Sequence, residues 1–225
     1  MTQRKWYSLA DKVWSPSHRA FAAHAVLKNH GAAGVDHQSC AQFAEHLDEE
    51  WDHLGNRMRQ HAYHPLPVRR VYIPKPGTHK QRPLGVPAVR DRVVEEAMRR
   101  VLEPLWEPTF SPDSYGFRPR RSAQEAATSI DGHLTEGYHW VVDADIPDYL
   151  GSIDQTLVRD KVAEERVADG TVRGWIRDML RAGVFEGGQT HPTPSGTTQG
   201  VLCKASQNPP YAKKVIMPSK PSKSL

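Results

Sequence analysis

Cysteine is scarce in this chain, which has only Cys40 and Cys203 among its 225 residues. Two cysteines cannot build the set of several disulfides that holds small secreted domains together. A paired-ligand zinc site is not expected either, because His61 and His64 have no matching second pair in the sequence. The chain is long enough to bury a hydrophobic core, so we expect that core to hold it together.

Long apolar runs are absent as well. No stretch approaches the roughly 18 apolar residues that a membrane-spanning helix needs. The first six residues, Met-Thr-Gln-Arg-Lys-Trp, lack the apolar centre of a secretory signal peptide. We therefore expect no membrane partner and a cytoplasmic location.

Positive charge is unevenly distributed along the chain. The formal net charge is +4, but residues 203–225 hold five lysines and no acidic residue, which leaves the first 202 residues at −1. Within those 202 residues, the segment 69–121 carries twelve Lys and Arg against six Asp and Glu. A local basic field of this kind favours phosphate backbones, although a solvated charged face has the same composition. Residues 203–225 are also rich in Pro and Ser and are predicted to be a disordered basic tail.

Apolar residues recur at helical spacing in several segments bounded by glycines and prolines. Helices are predicted at residues 17–30, 91–103, 155–168 and 171–182, and Pro104 and Pro108 are expected to end the second of these. Two further helices are predicted to begin at the capping boxes Ser39-x-x-Gln42 and Ser122-x-x-Glu125. Residues 68–73 and 84–86 are predicted to form a β-hairpin around a turn at 75–81.

Residues 140–146 (Trp-Val-Val-Asp-Ala-Asp-Ile) have the pattern of a buried strand that carries two carboxylates to its end. Because side chains alternate faces along a strand, Asp143 and Asp145 are expected to point the same way. Buried carboxylates are costly unless they are paired or bind a metal. On its own, this pattern is more typical of a strand that runs out into a polar turn.

Six other sequence blocks accompany this strand in a fixed order. They lie at residues 31–36 (Gly-Ala-Ala-Gly-Val-Asp), 67–76 (Pro-Val-Arg-Arg-Val-Tyr-Ile-Pro-Lys-Pro), 82–87 (Arg-Pro-Leu-Gly-Val-Pro), 90–94 (Arg-Asp-Arg-Val-Val), 114–119 (Ser-Tyr-Gly-Phe-Arg-Pro) and 197–202 (Thr-Thr-Gln-Gly-Val-Leu). In this order and spacing, the blocks closely resemble the reverse transcriptase/maturase encoded by bacterial group II introns. The resemblance covers roughly residues 10 to 202.

The resemblance implies an α+β fold, that of a right-hand polymerase. It implies a helical N-terminal extension at 1–65, a fingers region at 66–135 and a partial palm at 136–202, followed by the basic tail at 203–225. Asp145 matches the metal-binding aspartate of the first palm motif of the family, which makes it the expected catalytic residue. Asp145 and the backbone carbonyl of Ile146 are the expected ligands of Mg²⁺, which prefers hard oxygen donors.

The resemblance also implies contacts with substrate. Lys75 and Arg82 match the two cations of the fingers hairpin that hold the incoming triphosphate, and Gln199 resembles the glutamine that lines the nucleotide pocket. Arg118, Arg120 and Arg121 are expected to contact RNA, with a solvated face as the alternative. The expected partners are group II intron RNA, an RNA/DNA primer–template and deoxynucleoside triphosphates.

The sequence departs from the family pattern at several positions. After its aspartate the family usually continues as Lys-Gly-Phe-Phe-Asp, whereas residues 147–151 here are Pro-Asp-Tyr-Leu-Gly. Leu150 falls where an aromatic side chain normally blocks the ribose 2′ hydroxyl. The later Tyr-x-Asp-Asp motif, which supplies the remaining catalytic carboxylates in the family, does not occur in these 225 residues.

The expected function is therefore that of an RNA-directed DNA polymerase truncated before Tyr-x-Asp-Asp and inactive alone. One alternative is a non-enzymatic protein that binds intron RNA through residues 1–135. Another is that a second chain supplies the rest of the palm.

Overall fold

Helices and a small sheet together make this an α+β structure, as the sequence predicts. The computed structural model describes residues 5–74, 77, 79, 81–146 and 148–197. The helices are α1 (Ala10–Val13), α2 (Pro16–Leu27), α3 (Cys40–Glu45), α4 (Leu47–Arg59), α5 (Val89–Trp106), α6 (Ala123–Thr135), α7 (Tyr149–Ser152), α8 (Gln155–Glu165) and α9 (Gly170–Leu180), with a 3-10 turn at Glu107–Thr109. No helix of this described part is long and apolar enough to cross a membrane.

The sheet has the strand order β2-β1-β3-β4. Its strands are β1 (Val68–Pro74), β2 (Gln81–Val86), β3 (Val184–Glu186) and β4 (Gln189–His191). β1 and β2 pair antiparallel, which confirms the predicted hairpin. On its other edge, β1 pairs in parallel with β3. The hairpin of β3 and β4 was not predicted from the sequence. Its turn at Gly187 and Gly188 has positive φ at both positions, the conformation that tight hairpin turns favour.

Helix α5 lies at the centre of the hydrophobic core. Val93, Val94, Ala97 and Met98 on its inner faces are completely buried, and the helix packs most extensively against α2. Residues from α1, α4 and α9 complete the same cluster. The prediction that Pro104 ends this helix is wrong, because α5 continues to Trp106. Pro104 lies in the last turn, where its missing N–H removes only one bond near the end of the helix.

Both predicted capping boxes are present. The hydroxyls of Ser39 and Ser122 accept from the backbone N–H groups of Gln42 and Glu125, whose side chains accept in return. The helix after Ser39 is nevertheless broken at His46, whose backbone (φ −114°, ψ 28°) leaves the helical region and divides α3 from α4.

A buried carboxylate joins the N-terminal helices to α5. Asp91 accepts a hydrogen bond from the Tyr63 hydroxyl (2.9 Å) and another from the backbone N–H of Leu66 (2.9 Å). Burial raises the pKa of Asp91 despite the nearby Arg90 and these two hydrogen bonds, and burial together with the Asp91 carboxylate raises the pKa of Tyr63. The chain leaving α4 is thereby fixed to the first turn of α5, directly before β1 begins.

Candidate functional site

Asp145 lies in an exposed segment without regular secondary structure. The prediction of a buried strand over residues 140–146 is wrong for this structure. Trp140 is 72% exposed, Val141 63% and Ile146 51%. A strand needs a neighbour to satisfy its backbone groups, and no strand among the described residues pairs with this segment. The apolar pattern of residues 140–146 predicts burial in a sheet, but the described elements do not form a sheet that would bury these residues.

The donors near Asp145 do not assemble a magnesium site. Asp143, Asp145 and the carbonyl of Ile146 are all on the exposed segment. No group of three or more His, Cys, Asp or Glu residues in the described ranges is placed to hold a metal ion. Mg²⁺ takes octahedral oxygen coordination and is usually held by more than one carboxylate together with substrate phosphates. The donor set here does not fit the ion by itself.

The segment that follows Asp145 does meet the segment that precedes Gln199. The backbone N–H of Thr197 donates to the carbonyl of Leu150 (2.8 Å), and that of Gly196 donates to Ile153 (2.8 Å). Gly196 has φ +81°, and a Cβ there would lie 2.8 Å from the carbonyl oxygen of Gly151. Only glycine allows this close approach. Leu150 therefore lies next to residues 196–197, which precede Gln199. It falls where the sequence resemblance places an aromatic side chain against the ribose 2′ hydroxyl.

Gln155 holds this junction in place. Its Nε2 lies within hydrogen-bond distance of the carbonyl oxygens of Leu180 (2.8 Å), Thr193 (3.0 Å) and Gly196 (2.9 Å). Sequence reasoning did not single out Gln155, because a glutamine in the first turn of a helix is common and has no motif of its own. Gln199 itself is outside the described residues.

Arg82 is exposed on β2, opposite Ile73 of β1. It lies next to the end of the hairpin, and its contact with a triphosphate stays a prediction. Lys75, the second predicted cation, is outside the described residues, so its relation to Arg82 stays a prediction.

Arg118 is engaged within the protein. Its guanidinium pairs with Glu107 (Nη2 to Oε1, 2.8 Å) and donates to the carbonyls of Ser111 (2.6 Å) and Ser114 (2.9 Å). The side chain is only 10% exposed. A phosphate would have to compete with all three acceptors, so this geometry assigns Arg118 to holding the loop that follows α5.

Arg120 and Arg121 present different environments. Arg120 is exposed, has φ +58° and forms no hydrogen bond or ion pair with any residue that the structure describes. Arg121 donates to the carbonyl of Pro112, and its guanidinium lies over the ring of Tyr115, 4.6 Å from the centroid. Arg120 is therefore the most available of the three predicted RNA contacts.

Two arginines bring three of the sequence blocks together, and sequence reasoning assigned neither of them a role. Arg69 on β1 donates twice to the carbonyl of Ala33 (3.1 and 2.7 Å), and Arg92 on α5 donates to that of Ala32 (2.7 Å). Gly34 lies so close to Ala88 that an added Cβ would be 2.5 Å from the Ala88 Cα. The glycines of the first block thus permit close contact with the base of the hairpin and the start of α5.

The chain matches the family model described as reverse transcriptase (RNA-dependent DNA polymerase) over residues 73–205. It is 34% identical over 194 residues to Protein YkfC of Escherichia coli (strain K12), covering 84% of this chain and 50% of that protein. It is 38% identical over 177 residues to the group II intron-encoded protein LtrA of Lactococcus lactis subsp. cremoris, covering 78% of this chain and 29% of that protein. The chain spans half the length of the first relative and less than a third of the second.

A solved structure shares the fold. A chain of the partial Cas6-RT-Cas1–Cas2 complex superposes with a TM-score of 0.54 at 21% identity, covering 88% of this chain and 33% of that one. The family indicated by the seven sequence blocks is confirmed by the match to the reverse transcriptase model and by the similarity to LtrA. The chain belongs to the reverse transcriptase family and is related to bacterial group II intron-encoded proteins.

Proposed function

We propose that this polypeptide is the fingers and first palm segment of a group II intron reverse transcriptase, which binds RNA and does not extend a primer alone. The observation that supports this proposal is a contrast within the candidate site. Residues 148–155 and 193–197 form a hydrogen-bonded junction, whereas Asp145 is on an exposed segment, and no metal-binding cluster of carboxylates occurs among the described residues. This contrast supports a segment that contacts substrate and lacks the full carboxylate set of two-metal polymerisation.

The proposed substrate contacts follow from exposure and charge. Arg82 on the hairpin is a proposed contact of the triphosphate, with Lys75 and Gln199 as the proposed further contacts. Arg120 and Arg121 are available to phosphate oxygens of RNA, and the planar guanidinium suits such contacts. Group II intron RNA and an RNA/DNA primer–template are the proposed partners, and the cytoplasm is the proposed location. The proposed domains are the N-terminal extension up to residue 65, the fingers up to residue 135 and the partial palm up to residue 202.

Primer extension tests the proposal. The purified 225-residue chain, given an RNA template, an annealed DNA primer, deoxynucleoside triphosphates and Mg²⁺ or Mn²⁺, is expected to yield no extended product. Template-dependent extension that is lost in Asp145→Ala would overturn the proposal and assign full polymerase activity to this chain. Asp143→Ala is the matched control for removal of a neighbouring carboxylate.

A second candidate function is RNA binding with no role in synthesis. The contacts of Arg69 and Arg92 to the 31–36 block favour it, because they join β1 and α5 to the N-terminal helices without involving Asp145 or residues 193–197. The two candidates differ in one measurement. A polymerase segment completed by a second chain should recover primer extension when a polypeptide carrying the rest of the palm is added, and a pure RNA-binding protein should not.

A further inference from the structure

Arginines recur at every fourth residue, at Arg173 and Arg177 of α9 and at Arg181, the residue that directly follows this helix. Successive members are about 6 Å apart along the helix axis and share one face. All three are exposed, while Val172, Trp175, Ile176, Met179 and Leu180 on the other side of the helix are buried. None of the expected site residues lies on this helix.

A concave surface lies beside this row of arginines. A cleft of about 360 Å³ is lined by Arg177 of α9 and the following Arg181, by Arg159 of α8, and by the segment Pro192 to Pro194. Thr156 and Thr193 add hydroxyl groups to its lining, and no Asp or Glu is among the lining residues that the structure describes. Three arginines therefore line one cleft, and the carboxylates that pair with two of them, Asp160 and Asp178, are not part of its lining.

Two structural causes account for part of this arrangement. Cations in the last turn of a helix are stabilised by the helix dipole, which favours Arg177 and Arg181. Arg177 also pairs with Asp178 (2.9 Å) and Arg159 with Asp160 (3.3 Å). Neither cause explains why Arg159, from a separate helix, faces the same cleft. Both pairs are solvent-exposed on at least one side, and such pairs contribute little to stability.

The wall of the cleft is fixed to the candidate site. Gln155 contacts the carbonyls of both Leu180 and Thr193, and the Thr193 hydroxyl donates to Leu180 (3.2 Å). Gly196 and Thr197, a few residues further on, bond to Ile153 and Leu150. The cleft is thus continuous with the junction of residues 150–155 with residues 193–197.

We propose that the cleft formed by α8, α9 and residues 192–194 binds the phosphate backbone of single-stranded RNA. Arg159 and Arg181 supply its principal contacts, and Arg173 extends the path along α9. This assignment rests on the proposed RNA-binding function. It adds a second RNA contact surface besides that of the fingers. The chemistry of the cleft specifies phosphates and contains no group that reads bases, so binding here is independent of sequence.

The test is a fluorescence anisotropy titration of labelled single-stranded oligouridylate over a series of salt concentrations with the full chain. The double variant Arg159→Gln/Arg181→Gln is expected to flatten the log–log salt slope by about 1.4, because each lost phosphate contact on a single strand is worth about 0.7. Asp160→Asn is expected to tighten binding, since it releases Arg159 from its ion pair. Lys28→Gln, an exposed charge removed from the end of α2, is the matched control and should leave the slope unchanged.

The outcomes separate this inference from the function on which it rests. If the wild-type chain binds no RNA, the proposed function fails. If it binds RNA and the double variant keeps the wild-type slope while Arg82→Gln and Arg120→Gln reduce it, the fingers proposal stands and the cleft assignment is wrong. If excess deoxynucleoside triphosphate displaces RNA from the wild type but not from the double variant, the cleft is a triphosphate site and the RNA assignment is also overturned. Circular dichroism of each variant verifies that the fold is retained.

Discussion

Glu95 is buried in the core beside Asp91, and its carboxyl is charged only at a high energetic cost. Burial and the nearby Asp91 charge raise the pKa of Glu95 to about 8, although Arg92 acts in the opposite direction. Between the ordinary pKa of 4.5 and a pH of about 8, the carboxyl of Glu95 is therefore protonated in the native state and ionised in the unfolded state. Stability from this group is greatest below pH 4.5 and is lost as the pH rises toward 8.

Replacing Glu95 by Gln should remove that pH dependence. Glu95→Gln keeps the size of the side chain and cannot ionise, so we expect it to stabilise the protein at pH 8 and above by a few kcal/mol, on the order of 4 from the shift in pKa. At pH 4.5 the two proteins should be nearly equal. Urea unfolding from pH 4.5 to 9 measures the difference, and Glu96→Gln on the same helix is a control, because Glu96 pairs with Arg99 instead. A pH-independent difference between Glu95→Gln and the wild type would contradict the assignment.

Substitutions of Arg118 and Arg120 should have different effects on the stability of the protein and on RNA binding. Arg118→Ala leaves Glu107 and the carbonyls of Ser111 and Ser114 without their donor, and we expect it to lower the free energy of unfolding by about 2–3 kcal/mol. Arg120→Gln should change stability by less than about 0.5 kcal/mol, since the side chain is exposed. It should still weaken RNA binding. Denaturant unfolding and RNA titration on both variants measure the two effects, and equal stability losses would show that the loop contacts of Arg118 are not needed.

At the scale of elements, Asp169 caps two helices at once. Its carboxylate accepts from the backbone N–H groups of Thr171 (2.9 Å) and Val172 (3.2 Å) at the start of α9. The other oxygen accepts from Leu9 (2.7 Å) and Ala10 (3.0 Å) at the start of α1. Burial alone would raise the pKa of Asp169, but these four donors together lower it.

Removing this carboxylate should loosen the N-terminal segment. Asp169→Ala is expected to cost about 1–3 kcal/mol, the combined value of two lost caps. Because the folded-state pKa is lowered, the stabilisation is present above pH 3.8 and disappears as the pH falls through the folded-state pKa. Thermal unfolding at pH 7 and pH 3 measures both points, with Asp154→Ala, which caps α8 alone, as the control for a single cap. A loss no larger than that of Asp154→Ala would mean that α1 gains nothing from Asp169.

The elements differ in how far the sequence could predict them. The hairpin and the capping boxes were predictable, because prolines, a short turn and Ser-x-x-Gln or Ser-x-x-Glu act over a few residues. The exposed, irregular conformation of residues 140–146 was not predictable, because strand formation depends on a pairing partner elsewhere in the chain. The junction of Leu150 with Thr197 also joins residues far apart in the sequence. The residues expected to carry chemistry stay predictions, and sequence reasoning missed Gln155 and Asp169, which position their surroundings.

For the whole molecule, the distribution of charge determines which surfaces could hold the proposed RNA partner. The body and the lysine-rich residues 203–225 are separate sources of positive charge, since the first 202 residues sum to −1 and the last 23 to +5. The body still presents ordered arginines on two surfaces, the loop around Arg120 and the cleft of α8 and α9. Local charge rather than net charge governs contacts within a Debye length of about 8–10 Å.

Deleting residues 203–225 should distinguish the two sources. If all five lysines neutralised phosphates, the deletion would flatten the salt slope by up to about 3.5, at 0.7 per contact on a single strand. We expect a smaller change, because the planar guanidinium groups of the described arginines suit bidentate contacts with phosphate. The measurement is a titration of the same single-stranded RNA over a salt series for the full chain and residues 1–202. A chain of 202 residues that binds no RNA would assign all of the affinity to the tail and would remove the basis for RNA recognition by the fingers and by the α8–α9 cleft.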